Sequence, residues 1–268
     1  MIYDPTKRTV WLHVHVPKAG GSTLRQLFNR NFDKGYYNSV SLLEVKQYSR
    51  DEIGEIIRCH PLITCISDHK FSLDLPYHHD SANVFAISFV REPIARFVSR
   101  YFFHRHFEEV SCLAQRMSFR EFAEAELEQG LAPTQINSQI YFLNGGQSTS
   151  NMTVIEQALT TGNAYLFPIE YFDEACVCLE KLFPQTFSDL SYVSVNISKR
   201  DQTFSQEDLE FIRPYFDADQ AVVKLAHDFL EQTISRAFNE RQEFEQKLVE
   251  FRQLCRRRYD NFAPPRPI

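Results

Sequence analysis

Six consecutive residues carry the strongest chemical signal in this sequence: Lys18, Ala19, Gly20, Gly21, Ser22 and Thr23, within the run WLHVHVPKAGGSTLRQLFNRNF. Glycines between a strand and a helix let several backbone N–H groups converge on one point, and the helix N-terminus adds partial positive charge there. Ser22 and Thr23 bring hydroxyl donors to the same place, and Lys18 brings a full positive charge. Such a place binds an anion. The order of residues is not that of the G-x-x-x-x-G-K-[ST] loop, whose lysine follows the glycines, and no strand ending in an aspartate offers itself for a magnesium ion. An ordinary ATPase is disfavoured, and a tight turn that happens to carry a lysine is the plain alternative.

The flanking residues show what must position this loop. Val10, Leu12, Val14 and Val16 alternate with Trp11, His13 and His15 as in a strand, and Leu24, Leu27 and Phe28 then fall at helical spacing. A second strand, turn and helix follows in SANVFAISFVREPIARFVSRYFFHRHF, where Val84 to Val90 is continuously apolar and Pro93 sits where a first helical turn accepts proline. Between the two, Arg50 to Cys59 reads as a helix. Beyond them, SFREFAEAELEQG, QINSQIYFLNGGQ and NMTVIEQALTTG read as helices, NAYLFPIEYF as a late strand and DEACVCLEKLF as its helix. QEDLEFIRPYF follows a loop, and from Asp217 to about Tyr259 the chain is almost continuously helix-compatible without Gly or Pro. This alternation predicts an α/β fold with a central parallel sheet flanked by helices, a long C-terminal helical segment, and one domain over residues 1–262. The tail of residues 263–268, APPRPI in its context, is expected to be disordered.

Composition narrows the function classes. A net charge of −6 argues against a protein coated in basic residues for nucleic acid, though not against a local basic cleft. Six scattered cysteines offer no paired C-x-x-C elements for zinc and no disulfide framework, so reduced thiols and no metal are expected. The 24 phenylalanines read as core. With no run of eighteen apolar residues and no signal-peptide pattern in MIYDPTKRTV, the expectation is a cytoplasmic protein without a membrane span. Phe244, Leu248, Phe251 and Cys255, near helical spacing, suit either packing back on the domain or a dimer contact.

HVPKAGGSTL resembles the 5′-phosphosulfate-binding loop of sulfotransferases that use 3′-phosphoadenosine 5′-phosphosulfate (PAPS), and FVREPIARFVSRYFF resembles their 3′-phosphate-binding element. The pattern is similar to that of the bacterial family 2 sulfotransferases, relatives of heparan sulfate 2-O-sulfotransferase. It extends less tightly to NSQIYFLNG, FPIEYFDEACVCLEKL and VNISKRDQTFSQEDL, and so covers about Trp11 to Leu230. The resemblance implies a P-loop-like sulfotransferase fold and PAPS as donor, with adenosine 3′,5′-bisphosphate as product.

By that resemblance Lys18 would bind the oxygen bridging phosphate and sulfate, within a donor loop of Lys18, Ala19, Gly20, Gly21, Ser22 and Thr23. Arg91 and Ser99 match the pair that holds the 3′-phosphate, although Ser99 is otherwise an ordinary helix serine. Arg96 and Arg100 are weaker candidates, since most helix arginines are solvated, and Glu92 stands where the pattern often has Asp. His69 falls where relatives carry their catalytic histidine, and Ser67 stands where a second histidine is found in heparan sulfate 2-O-sulfotransferase. His15 competes for the same role, or is a strand histidine satisfied by hydrogen bonds, and His78 and His79 are loop residues. Ser198, Lys199 and Arg200 match a late segment that closes over the nucleotide, or form a solvated turn. Asn137 and Gln139 suit helix capping or packing as well as substrate contact.

The reading that follows is sulfuryl transfer from PAPS to a hydroxyl of a carbohydrate by in-line displacement, without nucleic acid or metal. A small hydroxylated metabolite as acceptor, or a nucleotide-binding module without catalysis, are the alternatives.

Overall fold

The computed structural model of the chain describes residues 3–39, 47–106, 115–128, 136–146, 151–193 and 204–261. Ser198, Lys199, Arg200, Cys112 and the 263–268 tail lie outside the described residues.

Five strands form one sheet in the order β2-β3-β1-β4-β5: β1 (Arg8–Val14), β2 (Tyr36–Asn38), β3 (Cys65–Asp68), β4 (Ala82–Val90) and β5 (Ala164–Pro168). Every pairing is parallel, with Trp11 opposite Cys65, Val10 opposite Val84, Tyr36 opposite Cys65 and Ala86 opposite Ala164. Parallel strands need helical crossovers, and these bury the sheet on both faces. All nine residues of β4 are accordingly buried, which is why its sequence is apolar without alternation.

The helices are α1 (Gly21–Phe32), α2 (Arg50–Cys59), α3 (Pro93–His106), α4 (Phe119–Glu128), α5 (Ser138–Leu143), α6 (Thr153–Thr160), α7 (Phe172–Leu182), α8 (Gln206–Ile212), α9 (Asp217–Ala237) and α10 (Arg241–Asn261). The predicted fold class is thus the observed one. Three details differ from the sequence expectation. β3 ends on the buried Asp68, so a strand ending in an aspartate is present where the sequence offered none. β2 is a three-residue, partly exposed strand, too short for any periodicity to announce it. The C-terminal helix-compatible run is broken at Phe238, whose backbone is extended. No Gly or Pro breaks it there; Phe238 is buried against Phe244, with ring centroids 5.4 Å apart, so packing overrides local propensity.

α10 lies back on α7. Phe244, Leu248 and Phe251 are buried, Arg252 bonds Asp173 and Glu174 at 3.0 and 2.8 Å, and Lys181 meets Glu243 at 2.7 Å. A second apolar cluster of Phe97, Tyr101, Phe102, Phe119, Phe122 and Phe216 fixes α3 against α4 and the turn before α9. The phenylalanines therefore serve packing, as expected, and they anchor the helix that follows β4.

From β1 the chain crosses toward β2 at one side of the sheet, and from β4 it crosses toward β5 at the other. The two exits diverge, so a crevice opens beyond the carboxyl ends of β1 and β4, the place where open α/β sheets hold ligands. The loop of Lys18 and the turn of Arg91 are its two walls.

Candidate active site

The first wall is the segment from His15 to Gly20, between β1 and α1. Gly20 (φ +83°) caps α1 without any side-chain hydrogen bond, and the first turn of α1 has no acidic residue. The positive end of the helix is therefore left to face the crevice uncompensated. Both glycines are required by what lies against them. A Cβ on Gly20 would fall 2.5 Å from Cδ1 of Ile169, in the 3₁₀ turn after β5, and a Cβ on Gly21 would fall 2.0 Å from Nε2 of His15. Lys18 itself has φ +68°, a conformation rare for a residue with a side chain. Its ammonium lies over the ring of Phe103 of α3, 4.2 Å from the centroid. Burial, and then the positive charge of Arg91, push the Lys18 pKa down to about 8.

The second wall begins where β4 ends. Nη1 of Arg91 donates to the carbonyl oxygen of Lys18 at 3.3 Å, joining the two motifs directly. Glu92 caps α3, accepting from Ile94 and Ala95 N–H at 3.1 and 2.6 Å, so the longer carboxylate keeps the helix-start task. Ser99 is half-buried further along α3. Arg96 and Arg100 are not the solvated helix arginines expected. Arg96 is 1% exposed with its Nε 4.0 Å from the buried carboxylate of Asp219, and Arg100 is ion-paired with Glu126. The reason is that α3 is enclosed by packing on more than one face, so its polar positions need internal partners. His104, beside Phe103, is held down to about pH 4 by burial and by the charges of Arg100 and Lys18.

Histidines line the other side of the first wall. His69 follows β3, is 7% exposed, and has Nδ1 2.7 Å from the carbonyl oxygen of His15. Its ring stacks on that of His15 at 4.3 Å, and His15 stacks on His13 at 5.0 Å. Burial lowers the pKa of His69, opposed by the His15 carbonyl and Asp68. His15 is held well below the ordinary imidazole value by burial and then by His13, His69 and Arg25, and its Nδ1 has no hydrogen-bond partner among the described residues. The expectation of a strand histidine satisfied by hydrogen bonds thus fails at that atom. His13 is pushed down to about 3, by burial and then by His69, and its Nδ1 meets Ser67 Oγ at 2.7 Å. Ser67, standing where a second histidine was considered, is therefore engaged in the interior.

The remaining histidines lie elsewhere. His79 donates from Nε2 to Gly54 O at 3.0 Å and accepts Ser81 N–H on Nδ1 at 3.3 Å, while His78 is exposed. They border a groove of about 840 Å³ between α2, residues 73–80 and α6, whose walls include none of Lys18, Arg91, Ser99 or His69. The structure thus joins Arg91 directly to Lys18, and links His69 to the segment just before it through His15. Phe103, Gln139 and Asp219 are site-shaping residues that sequence reading passed over or left open. A glutamine directly before the apolar run IYFL was the one visible signal.

Chemically, a helix N-terminus with a lysine and an arginine at its rim and imidazoles alongside can receive an anionic group. Among the described residues no helix is long and apolar enough to cross a membrane.

The sequence pattern of the Sulfotransferase family matches residues 1–262. The crystal structure of a sulfotransferase from Alicyclobacillus acidocaldarius is similar at 15% identity, over 83% of this chain and 97% of that one, with a TM-score of 0.45. A search of curated proteins finds no match. The family match runs through both walls of the crevice and nearly the whole chain, and the protein accordingly belongs to the sulfotransferase family.

Proposed function

We propose that this protein transfers the sulfuryl group of PAPS to a hydroxyl of a carbohydrate acceptor, as a single domain spanning residues 1–262. The observation that carries this reading is the junction of the two motifs, where the Arg91 guanidinium meets the carbonyl of Lys18 across the crevice at the uncapped end of α1.

In this reading the N–H groups of Gly20 to Thr23 and the two hydroxyls receive the 5′-phosphosulfate, and Arg91 with Ser99 receives the 3′-phosphate. Ser198, Lys199 and Arg200 would close over the nucleotide. His69 acts as base. A backbone carbonyl only accepts hydrogen bonds, so the Nδ1 facing His15 O carries the ring proton and Nε2 keeps its lone pair. Nε2 takes the acceptor proton while the acceptor oxygen bonds to sulfur. The sulfur–oxygen bond to the phosphate breaks in line, and Lys18 neutralises the charge left on that oxygen. This scheme uses no metal.

The test is transfer of labelled sulfuryl from PAPS to a panel of saccharides and small hydroxylated metabolites. Labelled saccharide supports the reading. Labelling of small metabolites alone would replace the acceptor class, and nucleotide binding without transfer to either would leave a binding module.

A further inference from the structure

Gln139 is a fully buried polar side chain beside the crevice, at 0% exposure, and the transfer chemistry gives it no task. It sits in the first turn of α5. Its Oε1 accepts the backbone N–H of Arg91 at 2.7 Å, and its Nε2 donates to the Arg91 carbonyl at 2.8 Å. One carboxamide thus holds both polar backbone groups of Arg91, as a neighbouring strand would. The need arises because the ladder between β4 and β5 ends at Val90 and Pro168, leaving Arg91 one residue beyond it.

Gln139 is held in turn. The carboxylate of Asp219 in α9 accepts from Gln139 N–H at 3.3 Å and from Ile140 N–H at 3.0 Å. It caps α5 from 80 residues away, because the α5 N-cap Asn137 is left-handed (φ +49°) and makes no side-chain cap of its own. Asn137 Oδ1 instead accepts Asp219 N–H at 3.0 Å. The backbone of Arg91 is therefore fixed by a continuous polar chain from α9 through α5.

We propose that Gln139 is a positioning residue for the 3′-phosphate: by clamping the Arg91 backbone it aims the guanidinium, and so sets the preference for nucleotides that bear a 3′-phosphate. This rests on the assignment of Arg91 above.

The experiment is calorimetric titration of adenosine 3′,5′-bisphosphate and of 5′-AMP into the wild type, Gln139→Met, Gln139→Glu and Asn137→Ala, with unfolding midpoints for each. For Gln139→Met the bisphosphate affinity should fall roughly tenfold while AMP affinity changes less than about threefold, since the buried pair of hydrogen bonds that holds the Arg91 backbone is lost. Gln139→Glu should lose the preference at alkaline pH, where its carboxylate cannot donate, and regain part of it, relative to wild type at the same pH, as the pH falls and the carboxyl again donates. Asn137→Ala, a change at the end of the polar chain, should lower the preference by a smaller factor and serves if the buried variants do not fold. Folded variants that keep the wild-type preference, or lose both nucleotides equally, would overturn the proposal. A wild type with no preference for the bisphosphate would instead overturn the assignment of Arg91 on which it rests.

Discussion

Nδ1 of His69 donates to the carbonyl oxygen of His15 at 2.7 Å, so the backbone three residues before Lys18 fixes which nitrogen of the neighbouring imidazole is free. With Nδ1 occupied, only Nε2 can take a proton, and burial keeps the ring neutral below its ordinary pKa of 6.5. Replacing His69 by Ala should lower kcat by about two to four orders of magnitude with little change in nucleotide affinity. Activity should be lost as pH falls through a value below 6.5, because protonation there removes the base. A profile of kcat/KM against pH checks the position of that limb.

Lys18 has the opposite dependence. Its pKa in the free protein is pushed down to about 8, so its charge is present below that pH and lost above it. The alkaline limb of kcat/KM, which reports the free enzyme, should fall near pH 8, and that of kcat should lie higher, since bound phosphate favours the ammonium. Lys18→Ala should cost about two to three orders of magnitude in kcat.

The contact between Gly21 and His15 makes a specific mutational prediction. Gly21→Ala places a Cβ 2.0 Å from the His15 ring, which must move, and with it the stacked ring of His69. Nucleotide affinity and stability should both drop, stability by about 1–3 kcal/mol as for overpacked sites. The double variant with His15→Ala should lose less stability than the two single losses together, which a double-mutant cycle by urea unfolding measures.

His13 predicts how stability follows pH. Its folded pKa is depressed to about 3 from 6.5, so between these values the unfolded chain binds a proton that the folded chain refuses. Its contribution is fully present above pH 6.5 and shrinks by about 1.4 kcal/mol for each pH unit below it. His15 and His69 act in the same direction. Urea midpoints at pH 7.5, 5.5 and 4.5 should decline steadily, and less so in His13→Asn.

The glycine loop was legible because its signals are local: alternation up to Val16, two glycines, then apolar spacing through Phe28 describe a strand, turn and helix that the structure reproduces. β4 was legible because burial on both faces leaves a continuous apolar run. What stayed hidden is long-range. Gln139 and Arg91 are 48 residues apart, and Asp219 is a further 80 from Gln139, so no spacing rule connects them. Arg96 looked solvated because a helix sequence shows one apolar face readily and a second packing surface poorly. The break at Phe238 followed the same pattern, a tertiary contact prevailing over helix-compatible residues.

The central claim is that the crevice between β1 and β4 receives a nucleotide carrying both a 5′-phosphosulfate and a 3′-phosphate. Calorimetric titration with adenosine 3′,5′-bisphosphate, 5′-AMP and ATP, in the wild type and in Arg91→Ala, tests it most directly. The account predicts strong preference for the bisphosphate in the wild type, lost in Arg91→Ala while weak AMP binding persists. Absence of binding, or preference for ATP, would contradict it.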